Sequence, residues 1–331
     1  MNTACPMSTQ RTALSQGAPA IELTQLSKTF PGGRGPALDG VDLSVPRGGF
    51  FGILGPNGAG KTTLMSILGG LLKPDRGSVH IDGRDAEQER AAIKRVLGIV
   101  PQEPAIYPTL SARENLDFFG RMQGLAGEHL EARILACLEL AEMTGEADQR
   151  VERFSGGYKR RLNMVIGLIH EPAILILDEP TVAIDPHSRS LIHQRLRELH
   201  QSGITILIST HYMEEAEQLC QDIAIIDHGK VLVQGTVPDL LSRHANQTIL
   251  IHLTGDPPPG LDRKLERIPG VLEVSVANRC VLAEAESPEG AIAPLVQALG
   301  ENGLEVRSLS YGATSLEQVF LAYTGGGSAP R

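Results

Sequence analysis

The stretch that most restricts what this chain can become is Phe50-Phe51-Gly52-Ile53-Leu54, followed by Gly55-Pro56-Asn57-Gly58-Ala59-Gly60-Lys61-Thr62 and Thr63. The first five residues form a short apolar strand. Leu64, Ile67, Leu68 and Leu71 then recur at helical spacing. Between them stands G-x-x-x-x-G-K-[ST], a glycine turn that aims backbone N–H groups and the positive end of a helix at one point. A polyphosphate fits that point. Lys61 is placed to reach the terminal phosphates, and Thr62 to offer its hydroxyl to Mg²⁺. A strand-turn-helix of this kind belongs to a sheet with its ligand edge at the strand carboxyl ends, which makes the fold α/β.

Other candidates fall where such an edge collects them. Ala173-Ile174-Leu175-Ile176-Leu177 is continuously apolar, as in a strand buried on both faces, and ends in Asp178-Glu179-Pro180. A carboxylate there can hold Mg²⁺. Thr205–Ser209 is a second buried strand and delivers Thr210-His211 to the same edge. Val96–Val100 runs into Pro101-Gln102. Phe30 stands before a turn-rich loop, either as a packing residue or as the ring on which an adenine stacks. Ser155-Gly156-Gly157 opens a helix and repeats the anion-site logic of the first loop. The Lys159-Arg160-Arg161 run after it reads as a solvated helix face.

Between Glu103 and about Glu152 the α/β rhythm gives way to helices. Ser111-Ala112-Arg113-Glu114 is a capping box ahead of Leu116, Phe119 and Met122, and Leu130–Met143 reads as a second helix. Past Asp227-His228-Gly229, read as a hairpin turn, and a helix near Pro238–His244, the pattern restarts. Its order is strand, helix, strand, strand, helix, strand, ending at Leu304–Leu309, as in a small ferredoxin-like sandwich. This module is either a docking or dimer-stabilising unit or a ligand sensor; it carries no binding motif. The division expected is a tail at 1–19, a nucleotide-binding domain at 20–245 with its helical part at about 103–160, an accessory domain at 246–324, and a flexible tail at 325–331.

Composition excludes several classes. A formal charge of −9 over 331 residues disfavours broad nucleic-acid binding. No apolar run approaches the roughly 18–20 residues that span a bilayer. Met1–Ala20 is polar and reads as a tail, not a secretory signal. Cys5, Cys137, Cys220 and Cys280 are far apart with no C-x-x-C spacing, which suggests a reduced cytosolic chain without structural zinc. No N-K-x-D motif is present to read guanine.

The order of these motifs, from Phe30 to about Gly235, resembles the ATP-binding cassette (ABC) family of transporter ATPases. The resemblance implies a P-loop ATPase core with a mixed sheet and a helical subdomain, ATP and Mg²⁺ as ligands, and a homodimer that seals nucleotide between two copies. It implies that Gly55–Thr62 is the phosphate loop, that Thr62, Gln102 and Asp178 hold Mg²⁺, and that Glu179 polarises the attacking water. Phe30 matches the adenine-stacking position, Ser155-Gly156-Gly157 the signature, Asp185 the D-loop aspartate and His211 the switch histidine. Phe154 and Tyr158 stand where the family signature usually has Leu and Gln. The chain would work at the cytoplasmic face of a membrane beneath a separate permease. Ser315–Leu321 is similar to the last helix of drug, polysaccharide and lipo-oligosaccharide exporters. An importer ATPase with a regulatory domain is the alternative, and a soluble ABC ATPase acting on DNA or ribosomes a more distant one.

Overall fold

The computed structural model describes residues 18–32, 35–244, 248–311 and 315–325. Most of both expected tails, and Gly33-Arg34 in the loop after Phe30, lie outside these residues. Two compact units are present. One runs to His211 and includes His228–Val231; the other holds Tyr212–Asp227 and the described chain from Leu232 onward.

In chain order the first unit contains β1 (Ile21–Thr29), β2 (Pro36–Val45), β3 (Phe50–Leu54), α1 (Lys61–Leu68), β4 (Arg76–Ile81), β5 (Arg84–Asp85), α2 (Arg90–Val96), β6 (Leu97–Val100), α3 (Ala112–Met122), α4 (Gly127–Leu140), α5 (Gly156–Leu168), β7 (Ile174–Asp178), α6 (Pro186–Gln201) and β8 (Thr205–Thr210). These make two sheets of different character. β2-β1-β4-β5 is antiparallel, and Ile21 pairs with Val45 on one side and Ile81 on the other. β3, β8, β7 and β6 lie side by side in that order and run parallel. β3, β7 and β8 are buried at every residue, which explains why they read as unbroken apolar runs. The register sets Leu54 beside Thr210 and Asp178 beside Ser209, so the three strands end at one edge.

The helical stretch is anchored locally. Ser111 caps α3 by accepting the Glu114 N–H at 3.1 Å, while Glu114 accepts the Ser111 N–H at 2.7 Å, which closes the capping box. The second helix starts earlier than Leu130 and stops at Leu140, because Glu142 takes φ 52°. Leu71, read as part of the α1 face, is exposed: α1 ends at Leu68 ahead of Gly69-Gly70. α5 lies against β6 at backbone distance. A Cβ on Gly98 would stand 2.3 Å from the Gly167 carbonyl oxygen, and one on Gly167 would meet Val100 Cγ2 at 2.9 Å. Only a glycine at each position permits this approach.

The second unit contains α7 (Met213–Leu219), β9 (Asp222–Asp227), β10 (Lys230–Thr236, shared at its start with the first unit), α8 (Val237–His244), β11 (Thr248–Leu253), α9 (Leu261–Leu265), β12 (Val271–Ala277), β13 (Cys280–Ala285), α10 (Pro288–Glu301), β14 (Val306–Tyr311) and α11 (Leu316–Gly325). β12-β13-β11-β14 is an antiparallel sheet. Alternation along β11 separates its faces. Ile249, Ile251 and Leu253 face Leu261, Leu265, Leu295 and Leu299 of α9 and α10, while Leu250 joins Cys280, Leu282 and Leu321 of α11. α11 also packs on α7 and α8, and its first N–H, at Leu316, donates to the Glu217 carboxylate. These contacts place α7 and α8 with the C-terminal strands. Among the described residues no helix is long and apolar enough to cross a membrane.

Candidate functional site

At the edge where β3, β7 and β8 end, side chains from separate parts of the first unit converge on Glu179. The phosphate loop supplies Lys61, buried at the first turn of α1, whose Nζ donates to the carbonyls of Gly55 at 2.7 Å and Pro56 at 3.1 Å. The same Nζ lies 3.5 Å from Glu179 Oε1. His211 Nδ1 is 3.1 Å from that oxygen, and Gln102 Nε2 donates to Oε2 at 3.3 Å. Lys61, Gln102, Glu179 and His211 are therefore one constellation. Asp178 joins it through Ser209, whose hydroxyl donates to Asp178 Oδ1.

Pro56, Asn57 and Gly58 are exposed between buried Gly55 and Ala59, and Thr62 is exposed while Thr63 is half-buried. Gly60 caps α1 with φ 108°, and a Cβ there would stand 2.4 Å from the Ala37 carbonyl oxygen. Glycine alone can hold this backbone. A nucleotide polyphosphate with Mg²⁺ suits the donor set: backbone N–H groups and Lys61 for the phosphates, and the Thr62 hydroxyl, the Gln102 amide oxygen and the Asp178 carboxylate for the cation.

Glu179 itself sits in the left-handed region, φ 46°, a costly conformation for a side-chain-bearing residue. Its N–H donates to both the carbonyl and the hydroxyl oxygen of Ser209, each at 3.1 Å. Its carbonyl accepts from Arg160 Nη2.

Gly157 at the start of α5 and Asp185 form a separate group, and Phe30 stands apart. Ser155 caps α5 by accepting the Tyr158 N–H at 3.4 Å, and Ser155 and Gly156 are exposed. Gly157 is buried; a Cβ there would stand 2.1 Å from Ser188 Oγ and 2.7 Å from Asp185 Oδ2. Asp185 caps α6, accepting the Ser188 N–H at 2.8 Å, and this bond holds its carboxyl below the usual range. Phe30 is 43% exposed at the end of β1, with Lys28 Nζ 6.0 Å from its ring centre.

One reading is corrected. Arg160 and Arg161 are not a solvated face: each is 4% exposed. Arg161 donates to the Ala141 carbonyl at 2.6 Å with its guanidinium 4.2 Å from the Tyr158 ring centre, and Arg160 turns to the carbonyls of Gln102 and Glu179. A run of basic residues reads as surface because long cations are rarely buried. Here backbone carbonyls supply the acceptors, and those leave no mark in a sequence. Ser209 and Asn163 were also passed over. Ser209 had one signal, a hydroxyl closing an otherwise apolar strand.

A phosphate loop on a parallel sheet, with paired carboxylates and a histidine at the strand ends, defines a nucleoside-triphosphate-hydrolysing enzyme. The ABC transporter family profile matches residues 38–182. The linearmycin resistance ATP-binding protein LnrL of Bacillus subtilis is 38% identical over 92% of this chain and 98% of its own length. The daunorubicin/doxorubicin resistance ATP-binding protein DrrA of Streptomyces peucetius is 36% identical over 94% of each. Among solved structures, the dimeric post-hydrolysis state of the ATP-binding cassette MJ0796 bound to ADP and Pi superposes with a TM-score of 0.61 at 29% identity, covering 66% of this chain and 98% of that one. The chain belongs to the ABC transporter family, and it is an ATP-binding, ATP-hydrolysing member.

Proposed function

We propose that the chain is the energy-coupling subunit of an exporter, working as a homodimer beneath a separate transmembrane permease at the cytoplasmic face. The single observation that carries the catalytic part is the convergence of Lys61, Gln102 and His211 on the Glu179 carboxylate. Glu179 orients and polarises the attacking water, His211 steadies Glu179, and Gln102 ties it to the loop after β6. Lys61 and the loop amides of Gly58–Thr62 neutralise the transferring phosphate, which is where this reaction needs most help. Thr62, Gln102 and Asp178 would hold Mg²⁺, which when bound would supply further charge neutralisation to the transferring phosphate. An arriving polyphosphate gives Lys61 a more highly charged partner than Glu179 and so relieves the carboxylate of that cation.

Dimerisation is supported by the two-group layout. Ser155 and Gly156 stand exposed at a helix N-terminus, a position that suits an anion presented by a second copy. Coupling to a permease is supported by the helical stretch, where Tyr107, Phe118 and Met122 expose apolar surface and the Tyr107 and Phe118 rings meet at 4.9 Å. Export is supported by the names of the relatives, which include resistance proteins and the Nod factor export ATP-binding protein I of Ralstonia nicotianae, 36% identical over 93% of this chain. Under this reading residues 20–245 are the nucleotide-binding domain, although α7 and α8 within it group with the C-terminal strands, and 246–324 are a ferredoxin-like accessory module that docks or steadies the dimer.

Glu179→Gln tests the reading. It should bind ATP and dimerise while hydrolysing about 10²–10⁴-fold more slowly, the usual worth of general-base help. Turnover at the wild-type rate would remove Glu179 from the mechanism. Full activity from a strict monomer at every dilution would remove the dimer.

A further inference from the structure

The signature helix and the catalytic carboxylate are joined inside one chain by a single buried side chain. Arg160 lies about one and a half turns beyond Ser155, the cap of α5. Its Nη1 donates to the carbonyls of Pro101, at 3.2 Å, and Gln102; its Nη2 donates to the carbonyl of Glu179. One planar fork thus grips the backbone of two residues that the catalytic reading uses, from loops 77 residues apart in the chain. One turn further along α5, Asn163 holds the same loop at both ends, donating to the Pro101 carbonyl at 3.0 Å and accepting the Ala105 N–H at 3.1 Å. The same helix is seated on β6 at Gly167, where a Cβ would stand 3.0 Å from the Ile99 carbonyl oxygen and 2.9 Å from Val100 Cγ2.

We propose that Arg160 is a positioning residue for hydrolysis: it fixes the Glu179 and Gln102 backbones to the helix that begins at the signature serine, so that displacement of that helix is transmitted to the attacking water. Three observations require a guanidinium there. The acceptors are carbonyls in two directions, which a fork of fixed geometry spans and a lysine ammonium does not. Glu179 is held at φ 46°, a conformation that needs support on both sides of the residue; Ser209 supports its N–H and Arg160 its carbonyl. Arg160 is 4% exposed, so its bonds are not exchanged with water. The neighbouring Arg161 points to the Ala141 carbonyl and has no such reach, which separates the two arginines in function.

The inference rests on the role given to Glu179, and the experiment keeps the two apart. Single-turnover and steady-state hydrolysis are measured for wild type, Arg160→Lys, Arg160→Gln, Glu179→Gln and the Arg160→Lys/Glu179→Gln double variant, with circular dichroism and thermal melts on each. Displacing a catalytic group by about an ångström costs up to 10²-fold. Arg160→Lys should therefore lower kcat by about ten- to a hundredfold while leaving the KM for ATP within about threefold. In the Glu179→Gln background it should cost less than about twofold more, because it acts through Glu179. Wild-type kcat in a folded Arg160→Lys, or losses that simply multiply in the double variant, would overturn the proposal. So would recovery of both Arg160 variants only as unfolded protein, which would make the residue one of stability alone. A fast Glu179→Gln would sink the reading beneath it; a slow Glu179→Gln beside a fast Arg160→Lys would sink this inference alone.

Discussion

Ser209→Ala isolates the support under the paired carboxylates. Ser209 is fully buried, and its hydroxyl does two things: it donates to Asp178 Oδ1 and accepts the Glu179 N–H at 3.1 Å. Alanine removes one oxygen and leaves no sizeable void, so packing loss is minor. The Glu179 N–H keeps a partner, because the Ser209 carbonyl also accepts it at 3.1 Å. The cost therefore falls on Asp178, a carboxylate 5% exposed that loses a charge-assisted donor. Such bonds contribute about 1.5–3 kcal/mol. At roughly 2–4 °C per kcal/mol for a unit of this size, the melting temperature should drop by about 3–12 °C. The loss should shrink when Mg²⁺ and a non-hydrolysable ATP analogue are added, since a cation on Asp178 replaces the missing donor. Calorimetry with and without the Mg²⁺-analogue pair reads both quantities. An unliganded variant within about 0.5 kcal/mol of wild type, or a deficit that persists unchanged with the pair bound, would refute the reasoning.

Two further outcomes follow from backbone and burial. Gly60→Ala should weaken ATP binding at least about tenfold, because its Cβ would meet the Ala37 carbonyl oxygen at 2.4 Å and the backbone already stands at φ 108°; titration with a fluorescent ATP analogue checks it, and a dissociation constant within twofold of wild type contradicts it. His170 donates from Nε2 to the Leu97 carbonyl at 3.1 Å, and burial pushes its pKa down, so the folded ring stays neutral where the unfolded one is charged. Below about pH 6.5 the unfolded chain binds a proton that the folded chain refuses, and stability falls with acid until the folded pKa is reached, by no more than about 1.4 kcal/mol per pH unit. Urea midpoints between pH 7.5 and 5.5 should flatten in His170→Gln, and an unchanged slope would remove His170 as the cause.

Much of the site was legible in the chain because its parts are local. The loop from Gly55 to Thr62 states its own conformation: glycines where φ is positive, a lysine at the first helical position, an apolar strand ahead of it. Ser111 and Glu114 announce a helix start through bonds that close within four residues. β7 and β8 declare double-sided burial by apolar runs without polar alternation, Ile174–Leu177 and Ile206–Ile208. α2 was missed because only Ile93 and Val96 carry its buried face, too few to show a period.

What the tertiary structure alone decided is which polar groups meet. That Lys61, Gln102 and His211 share the two oxygens of Glu179 depends on β3, β8, β7 and β6 lying side by side in an order the chain does not follow. Arg160 makes the point most sharply. Three consecutive basic residues look alike in one dimension, yet the helical rotation of about 100° per residue sends Arg160 to the Gln102 and Glu179 carbonyls and Arg161 to the Ala141 carbonyl. Their acceptors are backbone carbonyls, present at every residue, so no letter in the sequence marks them. Side-chain chemistry was written into the chain, whereas the partners of its buried charges were settled only when distant backbone segments were brought together.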